Sequence, residues 1–81
     1  MNVIYTRHAI DMLAERGLEK AWVERTILQP ETTEPDPNHP DRQRAFRGLP
    51  ERDGRVLRVV YTATGSTYRV ITLFLDRGRK R

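Results

Sequence analysis

The sequence predicts an α+β fold, an N-terminal helical hairpin packed on one face of a small antiparallel sheet of three to four strands. Apolar residues recur at helical spacing before residue 30 and alternate after residue 42. Between the two regimes, residues 30–41 hold four of the five prolines. At 81 residues the chain makes a single domain (1–81). A domain of that size buries only about 60% of its unfolded surface, so its function belongs on an open face or in a shallow cleft.

Residues 2–5 fit a short lead-in strand. Thr6 suits an N-cap, and Ala9, Met12 and Leu13 follow at helical spacing up to Gly17, predicting a helix over about 6–16. A second helix is expected over about 19–28. Leu18, Trp22, Val23, Thr26 and Ile27 share its broad face, and Pro30 stops it. The tight turn between them makes a helical hairpin. The proline stretch reads as a loop with a short edge strand near 31–35. His39 lies in that loop, between Asn38 and Pro40, and reads as a solvated side chain. Strands follow at 43–49, 55–63 and 67–75. Asp53-Gly54 and Thr64-Gly65-Ser66 supply the turns.

Alternation sorts the two long strands into faces. Leu57, Val59 and Tyr61, with Arg69, Ile71, Leu73 and Leu75, are expected against the helices. Val56, Arg58, Val60 and Thr62, with Tyr68, Val70, Thr72 and Phe74, are expected on the other face. That second face is mixed, with charge from Arg58, hydroxyls from Thr72 and Tyr68, and a stacking surface on Tyr68. Arg44 and Arg47 have opposite parity, so only one of them can share it, and alternation does not say which.

The formal net charge of +4 conceals an asymmetry: residues 1–41 carry net −4 and residues 42–81 net +8. The basic side chains are arginine except Lys20 and Lys80. The chain ends in the basic tail Arg77-Gly-Arg-Lys-Arg81. An arginine-rich half points to a polyanion, of which nucleic acid is the commonest. With no cysteine there is no disulfide framework or thiolate metal site. No signal peptide and no membrane-length apolar run is visible, which suggests a cytoplasmic protein without membrane contact. No nucleotide-cofactor motif appears and the two histidines lack metal-ligand spacing, so neither cofactor nor metal is indicated. Ser66, the single serine, sits in a turn and makes a poor triad nucleophile.

His8 is the leading acid–base candidate, because histidine changes charge near neutral pH. Helix geometry puts it about 100° from Ala9 and 140° from Leu13, at the edge of the apolar stripe. From there it can reach a sheet edge or simply brace the fold. Arg16, two turns on, falls nearer the stripe, where it can hold the hairpin through carbonyls or meet a phosphate. Metal-free RNA cleavage remains open to such an inventory, because RNA supplies its own 2′-hydroxyl nucleophile. The protein then needs only to position the strand, move protons and stabilise charge.

The run Thr6-x-His8-Ala9-x-x-Met12-x-x-Glu15-Arg16-Gly17-Leu18, then Val23, Ile27 and Pro30, then Arg55-Val-Leu-Arg58-Val-Val-Tyr61 and Val70-Ile-Thr72, resembles a small bacterial family of domains of unknown function. Residues 44–81 are also similar to the second half of BrnT-type toxins of the RelE-like fold, although this chain stops at its basic tail where those continue. The resemblance implies a RelE/BrnT-like α+β domain, ribonuclease activity and a partner antitoxin protein. Its matched polar positions are His8, Arg16, Arg58 and Thr72.

The leading expectation is thus a toxin-like, metal-independent endoribonuclease of a toxin–antitoxin system. His8, Arg58 and Thr72 would be catalytic, and Arg16, Arg44, Arg47, Tyr68 and Arg77 would hold RNA, on or off the ribosome. A non-catalytic nucleic-acid or ribosome-binding module on the same fold is the alternative, and a protein-interaction module is a third.

Overall fold

A computed structural model describes residues 1–79. In chain order these form β1 (Asn2–Tyr5), α1 (Arg7–Arg16), α2 (Lys20–Leu28), β2 (Thr32–Pro35), β3 (Gln43–Leu49), a 3-10 turn (Pro50–Arg52), β4 (Arg55–Thr64) and β5 (Thr67–Asp76). The sheet has five strands in the order β1-β5-β4-β3-β2. The pairs β2/β3, β3/β4 and β4/β5 are antiparallel, but β1 runs parallel to β5. The sheet is therefore mixed and five-stranded, in place of the three- to four-stranded antiparallel sheet expected. Alternation in a four-residue segment cannot reveal a parallel partner some 65 positions away. Lys80 and Arg81 of the expected basic tail lie outside the described residues. Among the described residues no helix is long and apolar enough to cross a membrane.

Local chemistry bounds α1 at both ends. The Thr6 hydroxyl accepts the Ala9 N–H at 3.1 Å. Gly17 turns the chain left-handed at φ 63°, and the Leu18 N–H closes back on the Leu13 carbonyl at 2.9 Å. Leu13 and Leu18 are both buried at this turn. Arg52 donates to the Arg16 carbonyl at 2.9 Å, so it does the carbonyl-holding work that Arg16 itself was one candidate for. In α2 the fully buried Thr26 hydroxyl donates to the Trp22 carbonyl at 2.8 Å, which removes the cost of an unpaired polar group.

Both helices lie on one face of the sheet. Ala9, Leu13, Leu18, Val23 and Ile27 meet Leu49, Leu57, Val59, Val70 and Leu73 in a single core. The alternation of β5 breaks within it. Val60 pairs with Thr72 and Tyr61 with Val70, which leaves Ile71 as the extra residue of a β-bulge. Before the bulge, Tyr68 and Val70 face the helices; after it, Leu73 and Leu75 do. Arg69, opposite Thr62, consequently points away from the helices, and Tyr68 points toward them, each the reverse of uninterrupted alternation. The Thr6 hydroxyl donates to the Ile71 carbonyl at 2.8 Å, so one side chain caps α1 and satisfies the bulge.

The second face is covered by an arginine–aromatic layer. Arg58 lies over Phe74 and Phe46, at 4.6 and 5.6 Å from the ring centres, and Arg79 over Phe46 at 3.7 Å. Asp76 accepts two hydrogen bonds from Arg58, at 2.9 and 3.2 Å. Glu34 pairs with both Arg44 and Arg79, and Arg44 also approaches Asp36.

Candidate nucleic-acid interface

β1 stops at Tyr5, opposite Val70, so beyond the bulge β5 is paired with β4 alone and its other side is free of a strand. α1 stands along that free edge. His8, Met12 and Arg16 are spaced four residues apart, so they form one stripe on the helix. Thr72 and Phe74 come from β5, and Leu75 and Arg77 complete an open groove of about 650 Å³.

At one end of the groove His8 Nε2 lies 3.0 Å from Thr72 Oγ1. The contact depends on two local devices. The Thr6 cap fixes where the helix begins, and the bulge sets the parity that puts Thr72 on the outer side of β5. His8 is exposed, so its ring remains open to a ligand while the threonine holds its orientation. At the other end, Arg16 and Arg77 are exposed and make no ion pair among the described residues. Arg16 also occupies the last turn of α1, where the helix carbonyls favour a cation. Met12, Phe74 and Leu75 give the floor an apolar, partly aromatic character. The groove thus presents an imidazole at one end and two guanidinium groups at the other, with an apolar floor that can receive a flat group between them.

The other residues singled out from sequence lie elsewhere. Arg58 is held under Asp76 and between two rings, behind Phe74 and outside the groove lining. Its guanidinium holds the Asp76 carboxyl below the usual carboxylate range. Arg44 is engaged by Glu34 and Asp36 on the second face. Arg47 points to the helix side and donates to the Gln29 carbonyl at 2.7 Å, so neither strand arginine reaches the groove. Tyr68 packs against Tyr61 with ring centres 5.7 Å apart. His39 is exposed in the loop before β3. Among the described residues no group of three or more histidines and carboxylates is arranged to hold a metal ion.

Sequence reasoning missed Met12 and Leu75 as groove walls, and Asp76 and Arg79 as the groups that engage Arg58 and Phe46. The Met12 signal was present in the four-residue spacing from His8. Nothing in the local pattern announced the Arg58–Asp76 pair, which joins two strands across the sheet.

No curated protein and no solved structure matches the chain. Residues 5–75 match the model of the family described as Domain of unknown function (DUF4258), and the chain belongs to that family.

Proposed function

We propose that the groove binds a single strand of RNA and that His8 drives its metal-independent cleavage, in a toxin-like domain of the RelE/BrnT kind. The observation that carries this reading is the His8–Thr72 contact in a groove whose two arginines make no ion pair among the described residues. The two arginines stand apart from the His8–Thr72 pair. Helix rise separates His8 from Arg16 by about 12 Å, and strand rise separates Thr72 from Arg77 by roughly 16 Å. One phosphate cannot meet groups so far apart, whereas successive phosphates of a strand can.

In the proposed step His8 takes the proton of a ribose 2′-hydroxyl. The 2′-oxygen attacks the adjacent phosphorus, the bond from phosphorus to the 5′-oxygen breaks, and water protonates the departing oxygen. The products are a 2′,3′-cyclic phosphate and a 5′-hydroxyl. Thr72 keeps the imidazole oriented, and the arginines bind the flanking phosphates. Positioned acid–base groups of this kind contribute about 10²–10⁴-fold.

The test is cleavage of a single-stranded RNA in EDTA, with product ends identified. His8→Ala is expected to lose at least 100-fold in rate while binding changes by less than threefold. His8→Ala cleaving as fast as the wild type contradicts the assignment.

A second reading, binding without cleavage, is favoured by the internal engagement of Arg58, Arg44 and Arg47. Among the described residues His8 is the single histidine lining the groove, and none of them stands as a second proton donor for the leaving group. This reading predicts no cleavage by wild type. It also predicts affinity that falls by about 0.7 logarithmic units per phosphate contact for each tenfold rise in salt, one contact being lost in Arg16→Ala.

A further inference from the structure

The two edges of the sheet are built differently. β2 forms one edge with the sequence Thr-Thr-Glu-Pro, and Pro30 and Pro37 flank it closely. Proline and charge are standard guards against another strand adding to an edge. β1 forms the other edge with Asn-Val-Ile-Tyr, which carries neither.

The register determines what β1 offers. The Asn2 N–H donates to the Ser66 carbonyl and the Thr6 N–H to the Val70 carbonyl. In a parallel ladder the even-numbered residues therefore face β5, and the N–H and C=O groups of Val3 and Tyr5 face outward. Each side of this edge has its own chemistry. Val3 and Tyr5 pack partly buried against the core on the helix side. On the opposite side Ile4 is 49% exposed, and Arg69, exposed and without an ion pair among the described residues, stands beside it on β5.

We propose that β1 is a docking edge for an extended segment of another protein, with apolar residues on the helix side alternating with carboxylates on the Arg69 side. Backbone groups of Val3 and Tyr5 supply the ladder, the apolar residues extend the core past Val3 and Tyr5, and a carboxylate reaches across Ile4 to the Arg69 guanidinium. A second copy of this chain fits less well, because its own β1 carries no carboxylate for Arg69. The proposal is independent of the groove and its chemistry.

Two capped peptides test it, a Val-Glu hexapeptide repeat and its Val-Lys counterpart, titrated into the full chain with backbone amide shifts recorded. The Val-Glu peptide is expected to bind at least tenfold more tightly, moving the Val3 and Tyr5 amides most. Val3→Pro removes an outward N–H without touching the pairing to β5, and is expected to abolish binding while the β1–β5 amides keep their shifts. Arg69→Glu is expected to reverse the preference toward the Val-Lys peptide, and it decides the matter alone if Val3→Pro unfolds. Equal binding of both peptides overturns the proposal. So does binding that survives in a folded Val3→Pro, an unchanged preference in Arg69→Glu, or self-association through this edge in place of peptide binding.

Discussion

The arginines of this chain divide into engaged and unengaged groups, and the division decides which of them can meet a ligand. Arg58, Arg44 and Arg79 are committed to Asp76, Glu34 and Asp36, and Arg25 to Glu51 through two hydrogen bonds of 2.7 and 2.9 Å. Composition showed an arginine-rich half, but not these pairings, because the partners lie on other strands or beyond a loop. Their carboxylates carry a pH signature. The Arg25 guanidinium holds the Glu51 carboxyl down to about 2 from an ordinary 4.5. A carboxylate depressed in the folded state contributes stability that is complete above its unfolded value and is lost as pH falls through its folded one. The Tm of wild type is thus expected to fall between pH 4.5 and 2, and Glu51→Gln to show a shallower fall over that window. Because the pair is about a third exposed, 1 M salt is expected to shrink the difference. Superimposable Tm profiles for the two proteins at low salt contradict this role for Glu51.

At the scale of elements, α1 was the part most open to reading from sequence. Thr6 and Gly17 are a cap and a terminator whose chemistry is local, and the structure uses both at those positions. β5 was harder, because its apolar residues step from Tyr68 and Val70 to Leu73 and Leu75 across three positions instead of two. That broken step marks the bulge, yet an uninterrupted strand reads it as alternation and assigns Arg69 and Tyr68 to the wrong faces. The start of α1 and the bulge in β5 are coupled through Thr6, which serves both. Thr6→Ala is expected to cost about 1–2 kcal/mol, from the lost cap and the unsatisfied Ile71 carbonyl. For a domain of this size that lowers Tm by several degrees, since about 4–8 °C corresponds to each kcal/mol. Thr6→Ser keeps both hydrogen bonds and is expected to recover most of the loss. An unchanged Tm in Thr6→Ala contradicts the coupling.

Across the whole molecule, the α+β class and the helical hairpin followed from periodicity, whereas the mixed five-stranded topology did not, because β1 finds its partner at the far end of the chain. The same long-range pairing makes the candidate site. β1 delivers the chain to the edge of β5 and then leaves it, and α1 fills the vacated edge with His8, Met12 and Arg16. His8 and Thr72 could be named from sequence, but their contact could not, because it depends on that exit and on the bulge. For the proposed RNA strand in this groove the chain carries its own control, since its two histidines lie in different settings. The most direct measurement is an NMR titration of the imidazole ring protons with a short single-stranded RNA. The His8 resonances are expected to shift saturably, to lose their response in Arg16→Ala with Arg77→Ala, and to move while His39 stays in place. A titration in which RNA leaves His8 unmoved, or moves His39 instead, contradicts the proposed binding.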